Sequence, residues 1–389
     1  MTSLRNFDLA VVGAGIVGLG AALAAARKGL KVVVIERDNR ANGASIRNFG
    51  FITVTGQRSG AHWARARRSR DIWTEIAPQA GIAVLQRGLV MPAYRPEAVE
   101  VLHAFLRTDM GAECRLIDRA EAIRRVPLLR TDGLREVLFS PHELRVESRE
   151  ALPQLARWLE AALRVEFRWN TTVLGVEDGG VHTSAGLITA DAVAVCPGDC
   201  LTTLYPSVIA RQALRVCTLQ MLRLAGDEIP RVESVVMSDR SFARYDGFTA
   251  LPEAPALMAR LDLESREMRE SGIHLIVVQS MDGSLVVGDS HVYAATAEPF
   301  ASDDIEKMIL AAMDEVLVLP SWRIRERWTG SYASSATRTV VVERPATNVR
   351  LVMVTGGTGA STGLALGEQV VARGDHALKG FFERVRRRA

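Results

Sequence analysis

Three glycines near the start of the chain have a spacing that suits the binding of a phosphate group. Gly13, Gly15 and Gly18 form the pattern G-x-G-x-x-G between a short apolar run (9–12) and an Ala- and Leu-rich stretch (16–27). The first glycine permits a tight turn, the second lets the backbone approach a pyrophosphate, and the third lets a helix pack closely on a strand. N–H groups at the start of that helix would bind the anion, so the spacing predicts a nucleotide phosphate site.

The acidic residue Glu36 adds a second signal to the glycine pattern. It follows a predicted second buried strand (31–35) and stands eighteen residues after Gly18. A carboxylate in this place accepts hydrogen bonds from the ribose of adenosine. The order of strand, glycines, helix, strand and acid predicts a dinucleotide-binding unit.

Two histidines and an aspartate form a second group that could do chemistry. A two-residue turn at Asp282-Gly283 would place His274 opposite His291 and Ile276 opposite Asp289. Because side chains alternate along a strand, both histidines and Asp289 would share one face. That face either binds an anionic substrate or accepts a substrate proton, or it is the solvated side of an antiparallel sheet. A 2-His-1-carboxylate metal site would require all three side chains to converge from one strand pair, and no metal is predicted.

The composition is that of a globular protein with a large core. The chain has 389 residues, of which 48% are hydrophobic and 24% charged, and its net charge is +3. A chain of this length is expected to form two joined domains. Forty-four of its 48 basic residues are Arg, which does not by itself indicate nucleic-acid binding. The run Arg65, Arg67, Arg68 and Arg70 in a predicted helix (58–76) is more typical of a solvated face than of an anion site.

Cysteine usage and hydropathy bear on metal binding and location. Cys114, Cys196, Cys200 and Cys217 contain no C-x-x-C, and the seven histidines contain no H-x-x-x-H, so neither a zinc site nor a disulfide scaffold is predicted. The uncharged stretch 9–26 has the length of a membrane span, but its four glycines disfavour one. A cytoplasmic protein without an export signal or transmembrane segment is therefore expected.

The remaining pattern predicts alternating helices and strands, followed by a strand-rich section at 212–293 that indicates a second, antiparallel sheet. A capping box at Asp118 and Glu121 opens a short helix, an Asp-Gly-Gly turn lies at 178–180, and the chain ends in a basic tail. The predicted strands are a pair within 84–92, then 134–139, 165–169, 172–177, 191–196, 215–224, 241–249, 274–292, 323–332 and 349–354. The predicted helices are 58–76, 96–109, 148–163, 255–270, 303–317 and 360–372.

Four stretches together resemble one known family. They are the acidic fingerprint end ER (36–37), DAVAVCPGD (191–199), ERWTGSYASS (326–335) and VMVTGGTGASTGLALGEQVV (352–371). Over essentially the whole chain, and in the right order, they resemble the D-amino-acid oxidase, glycine oxidase and sarcosine oxidase family of FAD-dependent amine oxidoreductases. GASIRNFGFI with GIHLIVVQ and LVVGDSHVY further resembles a subgroup associated with aminophosphonate breakdown.

The resemblance implies an α/β fold of two domains. A Rossmann-like FAD-binding domain with a parallel sheet would be discontinuous, over 1–85, 140–210 and 320–389. A substrate-binding domain with a mainly antiparallel sheet would comprise 86–139 and 211–319.

The resemblance also implies a set of cofactor contacts. Backbone N–H groups of 357–362, aided by the helix dipole, would face the N1–C2=O edge of the flavin. Monomeric sarcosine oxidases carry a lysine where this chain has Ser361, and a flavin-linked cysteine in the C-terminal half, whereas the last cysteine here is Cys217. Non-covalent FAD is therefore expected. The implied FAD contacts are Gly13, Gly15, Ile16, Gly18, Glu36, Arg37, Ser45, Arg47, Asn48, Val173, Gly198, Gly357, Thr358, Gly359, Ala360, Ser361 and Thr362.

The implied reaction is oxidation of the C–N bond of a small acidic amine. Hydride would pass from the α-carbon to flavin N5, and water would hydrolyse the imine. Expected substrates are 2-aminoethylphosphonate or its N-methyl form, glycine, sarcosine or another amino acid. O₂ or another acceptor would reoxidise the flavin, and no nucleic-acid partner is expected, while the oligomeric state stays open. The candidate catalytic residues are Arg47, Asn48, His274, Asp289, His291 and Tyr332.

Two other functions remain compatible with the residues. One is an NAD-dependent dehydrogenase, because the glycine fingerprint does not distinguish dinucleotides, although a second Gly-rich turn near the C-terminus is redundant for NAD. The other is a non-catalytic nucleotide-binding protein whose arginines engage RNA or a membrane surface.

Overall fold

A computed structural model describes residues 6–177 and 180–373. The strands in chain order are β1 (Asn6–Val12), β2 (Val32–Ile35), β3 (Phe51–Ile52), β4 (Val84–Ala93), β5 (Arg115–Leu116), β6 (Glu136–Val146), β7 (Glu166–Arg168), β8 (Val173–Glu177), β9 (Gly180–Thr183), β10 (Gly186–Val195), β11 (Arg215–Ala225), β12 (Val235–Met237), β13 (Ile276–Gln279), β14 (Leu285–Gly288), β15 (Val292–Ala294), β16 (Arg323–Ser334), β17 (Val340–Ala346) and β18 (Val349–Val354). The helices are α1 (Ile16–Ala26), α2 (Ala61–Gln79), α3 (Pro96–Leu106), α4 (Arg119–Arg125), α5 (Ser148–Leu163), α6 (Pro206–Ala210), α7 (Asp246–Thr249), α8 (Ala254–Glu270), α9 (Asp303–Val316) and α10 (Gly359–Arg373).

The first sheet has eight strands in the described part of the chain and is built around parallel pairing. Its main order is β17-β18-β10-β1-β2-β7, with β8 and β9 attached to β10. The pairs β18-β10, β10-β1, β1-β2 and β2-β7 are parallel, whereas β17 is antiparallel to β18 and β9 is antiparallel to β10. Strand β2 is buried along its whole length, as expected for a parallel strand covered on both faces. Because the pairing is in register, β1 and β10 both end at this sheet's carboxyl edge.

The second sheet has ten strands among the described residues and is mainly antiparallel. Its order is β15-β11-β14-β13-β12-β4-β6-β3, with β16 on β11 and β5 on β6. Within it β4 and β12 pair in parallel, and the other pairs are antiparallel. The predicted α/β fold, with one parallel sheet and one mainly antiparallel sheet, is confirmed. The predicted domain boundaries remain a prediction; β3 and β16 lie inside the predicted FAD-binding segments but belong to the second sheet.

The helices α1 and α10 pack against each other through glycine. A Cβ atom on Gly367 would lie 2.1 Å from the carbonyl carbon of Gly20, and one on Gly20 would lie 2.6 Å from the oxygen of Gly363. The two backbones therefore approach more closely than any larger residue allows. This contact brings the N-termini of both helices to the same edge of the first sheet.

Three strand predictions need correction. Residues 241–249 form a short 3₁₀ helix (Asp239–Ala243) and α7 instead of a strand. Phe242 and Phe248 are an even number of residues apart, as apolar residues on one face of a strand would be. In the structure the 3₁₀ helix and α7 bring both rings into one core cluster, with centroids 4.8 Å apart. The pair predicted within 84–92 is the single strand β4, and the strand predicted at 134–139 continues to Val146.

The predicted register of the hairpin is wrong by one residue. Ile276 pairs with Gly288 and not with Asp289, because the turn contains three residues. The backbone N–H of Ser280 donates to the oxygen of Ser284 at 2.8 Å, and Gly283 adopts a φ of +82°, which favours glycine. Strand pairing ends at Gly288, so the three predicted polar residues lie in irregular segments beyond it.

The arginine run of α2 is largely on a solvated face. Arg67 pairs with Glu113 at 3.0 Å and Arg68 with Glu368 at 2.6 Å, which agrees with the solvated interpretation. Arg65 is the exception, since it is buried and its Nε donates to Gln369 at 2.9 Å. No helix in the described ranges is both long and apolar enough to cross a bilayer. The predicted turn at 178–180 falls mostly, and the predicted basic tail wholly, outside the described residues.

Candidate active site

A cavity of about 360 Å³ opens where the carboxyl edge of the first sheet meets the second sheet. Its lining comes from the segments after β1, β10 and β18 and from the inner face of β11, β13 and β16. All six predicted catalytic residues line it. The predicted cofactor residues that line it are Gly15, Ile16, Gly18, Ser45, Arg47, Asn48, Gly198, Gly357, Thr358, Gly359 and Ala360.

The turn between β1 and α1 has the close packing that its glycines predict. Gly13 adopts a φ of +100°, and a Cβ atom there would lie 2.6 Å from the carbonyl oxygen of Cys196. A Cβ atom on Gly18 would lie 1.9 Å from the oxygen of Gly13. The hydroxyl of Ser45 accepts a hydrogen bond from the backbone N–H of Ile16 at 2.9 Å. The 44–50 loop is thereby tied to the start of α1.

Glu36 holds the outer end of the same turn. Its Oε2 accepts from the backbone N–H of Ala14 at 2.8 Å, and its Oε1 accepts from Asp38 at 3.1 Å. Glu36 therefore shapes the turn between β1 and α1, and its contact with the ribose remains a prediction. Arg37 is exposed, and Val173 opens β8; among the described residues, neither lines the cavity.

The second glycine-rich turn leads into α10 on the other side of the cavity. A Cβ atom on Gly357 would lie 3.5 Å from the hydroxyl of Tyr332, and Gly356 has no heavy atom within 4 Å of such a position. The Thr358 hydroxyl is buried without a hydrogen-bond partner in the described structure. The side chains of Ser361 and Thr362 point elsewhere: the first accepts from the Thr53 N–H and the second donates to the Thr358 oxygen.

These two turns fit FAD. In each turn, glycines leave the backbone accessible at the N-terminus of a helix. The free N–H groups there stabilise bound anions, such as a pyrophosphate, and electron-rich atoms of a ring. An unpartnered hydroxyl at Thr358 and an open position at Gly356 face the same cavity. The residues that would hold the cofactor are thus placed at both ends of one cavity.

Arg47 and Asn48 differ in how their side chains are engaged. Asn48 is held by the loop itself, since its amide nitrogen donates to the Ala44 oxygen at 2.7 Å and its oxygen accepts from the Gly50 N–H at 2.7 Å. The Arg47 guanidinium has no hydrogen bond or ion pair to any described residue. Only the backbone of Arg47 is engaged, since its N–H donates to the Ala44 oxygen at 3.2 Å and its oxygen accepts from Trp328 Nε1 at 3.2 Å. Arg47 is therefore available to a bound molecule.

His274, Asp289 and His291 do converge, although not through the predicted register. Nε2 of His274 lies 3.4 Å from Asp289 Oδ1, and Nε2 of His291 lies 3.7 Å from Asp289 Oδ2. Burial lowers the pKa of His291 to about 3 and also lowers the pKa of His274. Burial opposes ionisation of Asp289, but the imidazoles and Arg244 outweigh it, and its pKa lies below the usual value. The cluster is thus a buried carboxylate flanked by two imidazoles, and burial disfavours the charged form of both rings.

Arg244 is a cavity residue that the sequence did not point to. Its Nη2 donates to the hydroxyl of Tyr293 at 2.7 Å, and no carboxylate lies within ion-pair distance among the described residues. Burial disfavours its charge, but the two nearby tyrosines and Asp289 outweigh burial and raise the pKa of the guanidinium above its usual value. Burial likewise raises the pKa of Tyr332 well above the usual value. As one of 44 arginines inside a segment predicted as a strand, Arg244 carried no distinguishing signal.

Other charged residues of the lining are already partnered. Arg58 donates through Nε to Asp246 at 2.7 Å and through Nη1 to the Thr337 oxygen at 3.2 Å. Asp199 accepts a short hydrogen bond from the hydroxyl of Ser331. Arg244 and Arg47 therefore differ from Arg58 in having no carboxylate partner in the described structure.

The cysteines near the cavity are poor nucleophiles. Burial raises the pKa of the Cys196 thiol to about 12 and that of Cys217 to about 11, and all four cysteines are free. A protonated thiol does not attack a flavin ring. The expectation of non-covalent FAD accords with this environment.

Comparison with known proteins identifies the family. A family profile described as FAD dependent oxidoreductase matches residues 8–373. The chain therefore belongs to this family of FAD-dependent oxidoreductases, and FAD is its cofactor. The NAD-dependent dehydrogenase and the non-catalytic nucleotide-binding protein are set aside. No match is found among curated proteins.

Solved structures show the same fold at low sequence identity. L-proline dehydrogenase from P. horikoshii is 18% identical with a TM-score of 0.75, covering 95% of this chain and 94% of the other. Glycine oxidase from Geobacillus kaustophilus is 16% identical with a TM-score of 0.74, covering 96% and 95%. Iminodiacetate oxidase from Chelativorans sp. BNC1 is 19% identical with a TM-score of 0.66, covering 92% and 93%.

Proposed function

We propose that the protein oxidises the C–N bond of a small amine that carries an acidic group. The family supplies the reaction type, and the names of the three similar structures supply the substrate class, because proline, glycine and iminodiacetate are all amines with a carboxylate. Bound FAD would supply the two-electron acceptor for this oxidation. The protein's own contribution is to bind and orient the amine beside it.

The observation that carries the proposal is the Arg244 guanidinium. It is largely buried beside the cavity, is oriented by the hydroxyl of Tyr293, and has no carboxylate partner among the described residues. A guanidinium binds carboxylate or phosphonate oxygens through two parallel hydrogen bonds, which are stronger than neutral ones. An anionic group of the substrate would complete this site.

A second free guanidinium favours a doubly charged substrate. Arg47 also lines the cavity, and its guanidinium has no partner in the described structure. The guanidinium groups of Arg47 and Arg244 are therefore two positive charges that an anionic ligand could neutralise. A phosphonate carries more negative charge and one more oxygen than a carboxylate. We infer that an aminophosphonate, such as 2-aminoethylphosphonate or its N-methyl form, fits better than glycine or sarcosine, in line with the resemblance of 43–52 and 272–293 to the aminophosphonate subgroup.

The other predicted roles stay predictions. They include contact of His274, Asp289 and His291 with the substrate, contact of Tyr332 with the reacting groups, and a cytoplasmic location. Tyr332 lies between the second glycine turn and His291, with its ring centroid 6.5 Å from the imidazole. O₂ and other electron acceptors, as well as the oligomeric state, are left open.

A substrate panel tests the proposal. Purified protein loaded with FAD is mixed with 2-aminoethylphosphonate, its N-methyl form, β-alanine, glycine, sarcosine and ethylamine, and both hydrogen peroxide and dye reduction are followed. β-Alanine replaces the phosphonate by a carboxylate, and ethylamine removes the acidic group. We expect the highest kcat/KM for an aminophosphonate and the lowest for ethylamine. Equal rates for ethylamine and the acidic amines would contradict the proposed role of the anion.

A further inference from the structure

The cluster of His274, Asp289 and His291 has the geometry of a metal-binding site. One potential ligand atom from each residue lies within 4.8 Å of the others, and all three residues are buried in the wall of the cavity. The sequence did not predict a metal here, because all three side chains would have had to converge from a single pair of strands. In the structure the three side chains do converge, because His274 lies just before β13 while Asp289 and His291 lie just after β14.

The hydrogen bond of His291 fixes which of its nitrogens is free. Nδ1 lies 2.9 Å from the carbonyl oxygen of Gly272, which can only accept, so Nδ1 carries the proton. In the neutral ring Nε2 is then a bare lone pair, and it lies 3.7 Å from Asp289 Oδ2. Two acceptors face each other across a gap that a cation would fill.

His274 and Asp289 extend the same arrangement. Nδ1 of His274 is 3.1 Å from the hydroxyl of Ser241, and its Nε2 is 3.4 Å from Asp289 Oδ1. Asp289 is only 6% exposed, yet its Oδ1 accepts no hydrogen bond in the described structure. Each imidazole thus has an outer partner on Nδ1 and turns Nε2 inward, which is how proteins orient histidine ligands to a metal.

We propose that His274, Asp289 and His291 bind a divalent transition metal ion, with Zn²⁺ as the best match. Two imidazoles and one carboxylate are a donor set that Zn²⁺ accepts while keeping one position open, here toward the cavity. The charge of Arg244 acts on this cluster and opposes any cation. This repulsion is the same for every divalent ion, whereas the two imidazole donors select against hard ions such as Mg²⁺, which have little affinity for imidazole nitrogen. The inference goes beyond the proposed function and does not depend on the substrate.

Calorimetric titration of the untagged, FAD-loaded protein tests the site directly. After treatment with a chelator, the protein is titrated with Zn²⁺ and, separately, with Mg²⁺ at pH 7.5. We expect one Zn²⁺ per chain with a dissociation constant on the order of micromolar, and no heat with Mg²⁺. Loss of an outer partner of a metal ligand weakens affinity about 10- to 100-fold, so His291→Ala and Asp289→Asn, which remove ligands, should weaken Zn²⁺ binding at least as much.

A matched histidine provides the control. His103 forms a half-buried pair with Glu136 at 2.7 Å, away from the cavity, so His103→Ala should leave Zn²⁺ affinity unchanged. Flavin content and the thermal unfolding midpoint report whether each cluster variant is folded, and His274→Gln provides a third, milder variant if one fails. Absence of Zn²⁺ binding in the wild type, or equal binding by folded cluster variants, would overturn the proposal.

Discussion

Nη2 of Arg244 lies 2.7 Å from the hydroxyl oxygen of Tyr293, to which it donates a hydrogen bond. The two residues are distant in sequence. Arg244 lies just before α7, and Tyr293 lies in β15 of the second sheet. Their contact orients a guanidinium beside the cavity and leaves its remaining N–H groups for a ligand. This pair is the observation on which the proposal of an acidic substrate rests, and the predicted substrate contact of the histidine face stays a prediction.

Substitution of Arg244 should lower activity toward the acidic substrate without weakening FAD binding. For Arg244→Met we expect kcat/KM for the best acidic amine to fall by about two orders of magnitude, or roughly 3 kcal/mol, with flavin content unchanged. Tyr293→Phe keeps the charge and removes only its orienting partner, so its loss should be smaller. Steady-state kinetics with flavin absorbance separate the effects.

Arg47→Met is the matched comparison from the other wall of the cavity. If both arginines bind a phosphonate, the two variants lose similar activity toward the aminophosphonate. Loss of FAD from Arg47→Met would instead place that guanidinium on the cofactor. An Arg244→Met protein with full flavin and unchanged kcat/KM would show that other residues bind the anion.

Glu36→Ala should weaken FAD binding. A lost charge-assisted hydrogen bond costs on the order of 1.5–3 kcal/mol, so the dissociation constant should rise about ten- to a hundredfold. Glu36→Gln keeps an oxygen for the Ala14 N–H, which the carboxylate binds at 2.8 Å, and should have a smaller effect. Titration of the apoprotein with FAD measures both, and unchanged affinity would place the ribose elsewhere.

The flavin should be released by acid. Burial raises the pKa of Cys196 to about 12 and that of Cys217 to about 11, so neither thiol is prepared for attack on the ring. After precipitation with trichloroacetic acid, we expect all yellow colour in the supernatant and none in the protein pellet. Flavin fluorescence in the washed pellet would contradict the non-covalent assignment.

Gly367→Ala should destabilise the fold. The added methyl group would lie 2.1 Å from a backbone carbon of Gly20, so α1 and α10 must move apart. Overpacking of this kind costs about 1–3 kcal/mol in the free energy of unfolding. Gly175→Ala is the control, since no heavy atom lies within 4 Å of its Cβ position. Urea unfolding of both variants, saturated with FAD, measures the difference; equal midpoints would show that the helices accommodate the methyl group.

His62 should make stability fall at acidic pH. Burial, followed by the charges of Arg65 and Arg58, lowers its pKa from 6.5 to about 4. The unfolded chain therefore binds this proton at a higher pH than the folded chain, and stability declines as pH drops from 6.5 towards 4. The loss is about 2 kcal/mol at pH 5. In His62→Gln this part of the loss in unfolding free energy should disappear when urea unfolding is compared at pH 7.5 and pH 5. An identical pH dependence in the variant would show that His62 does not cause the loss.

Local spacing explains what the sequence alone predicted. Gly13, Gly15 and Gly18 act within one turn, and their role depends on covalent neighbours, so the pattern located the tight turn between β1 and α1 correctly. The buried strands of the first sheet were predicted for a similar reason, because a strand covered on both faces is apolar throughout.

The remainder depends on contacts that no local pattern encodes. His274, Asp289 and His291 were grouped correctly but on a wrong register, because the three-residue turn at Gly283 shifts the pairing by one. Arg244 lies in a segment whose two phenylalanines imitate strand alternation, and its position beside Tyr293 depends on the packing of the second sheet. The role of Glu36 in holding the Ala14 N–H was also missed, since it follows from the three-dimensional turn.

The packing of α1 against α10 has a consequence for the order of events during synthesis. The turn between β1 and α1 leaves the ribosome long before its partner turn and helix, which belong to residues 355–373. A nascent chain that ends before residue 355 therefore carries half of the cofactor pocket, with the glycine face of α1 exposed to water. The complete cofactor pocket can form only after residues 355–373 have been synthesised, and until then the glycine face of α1 lacks its packing partner.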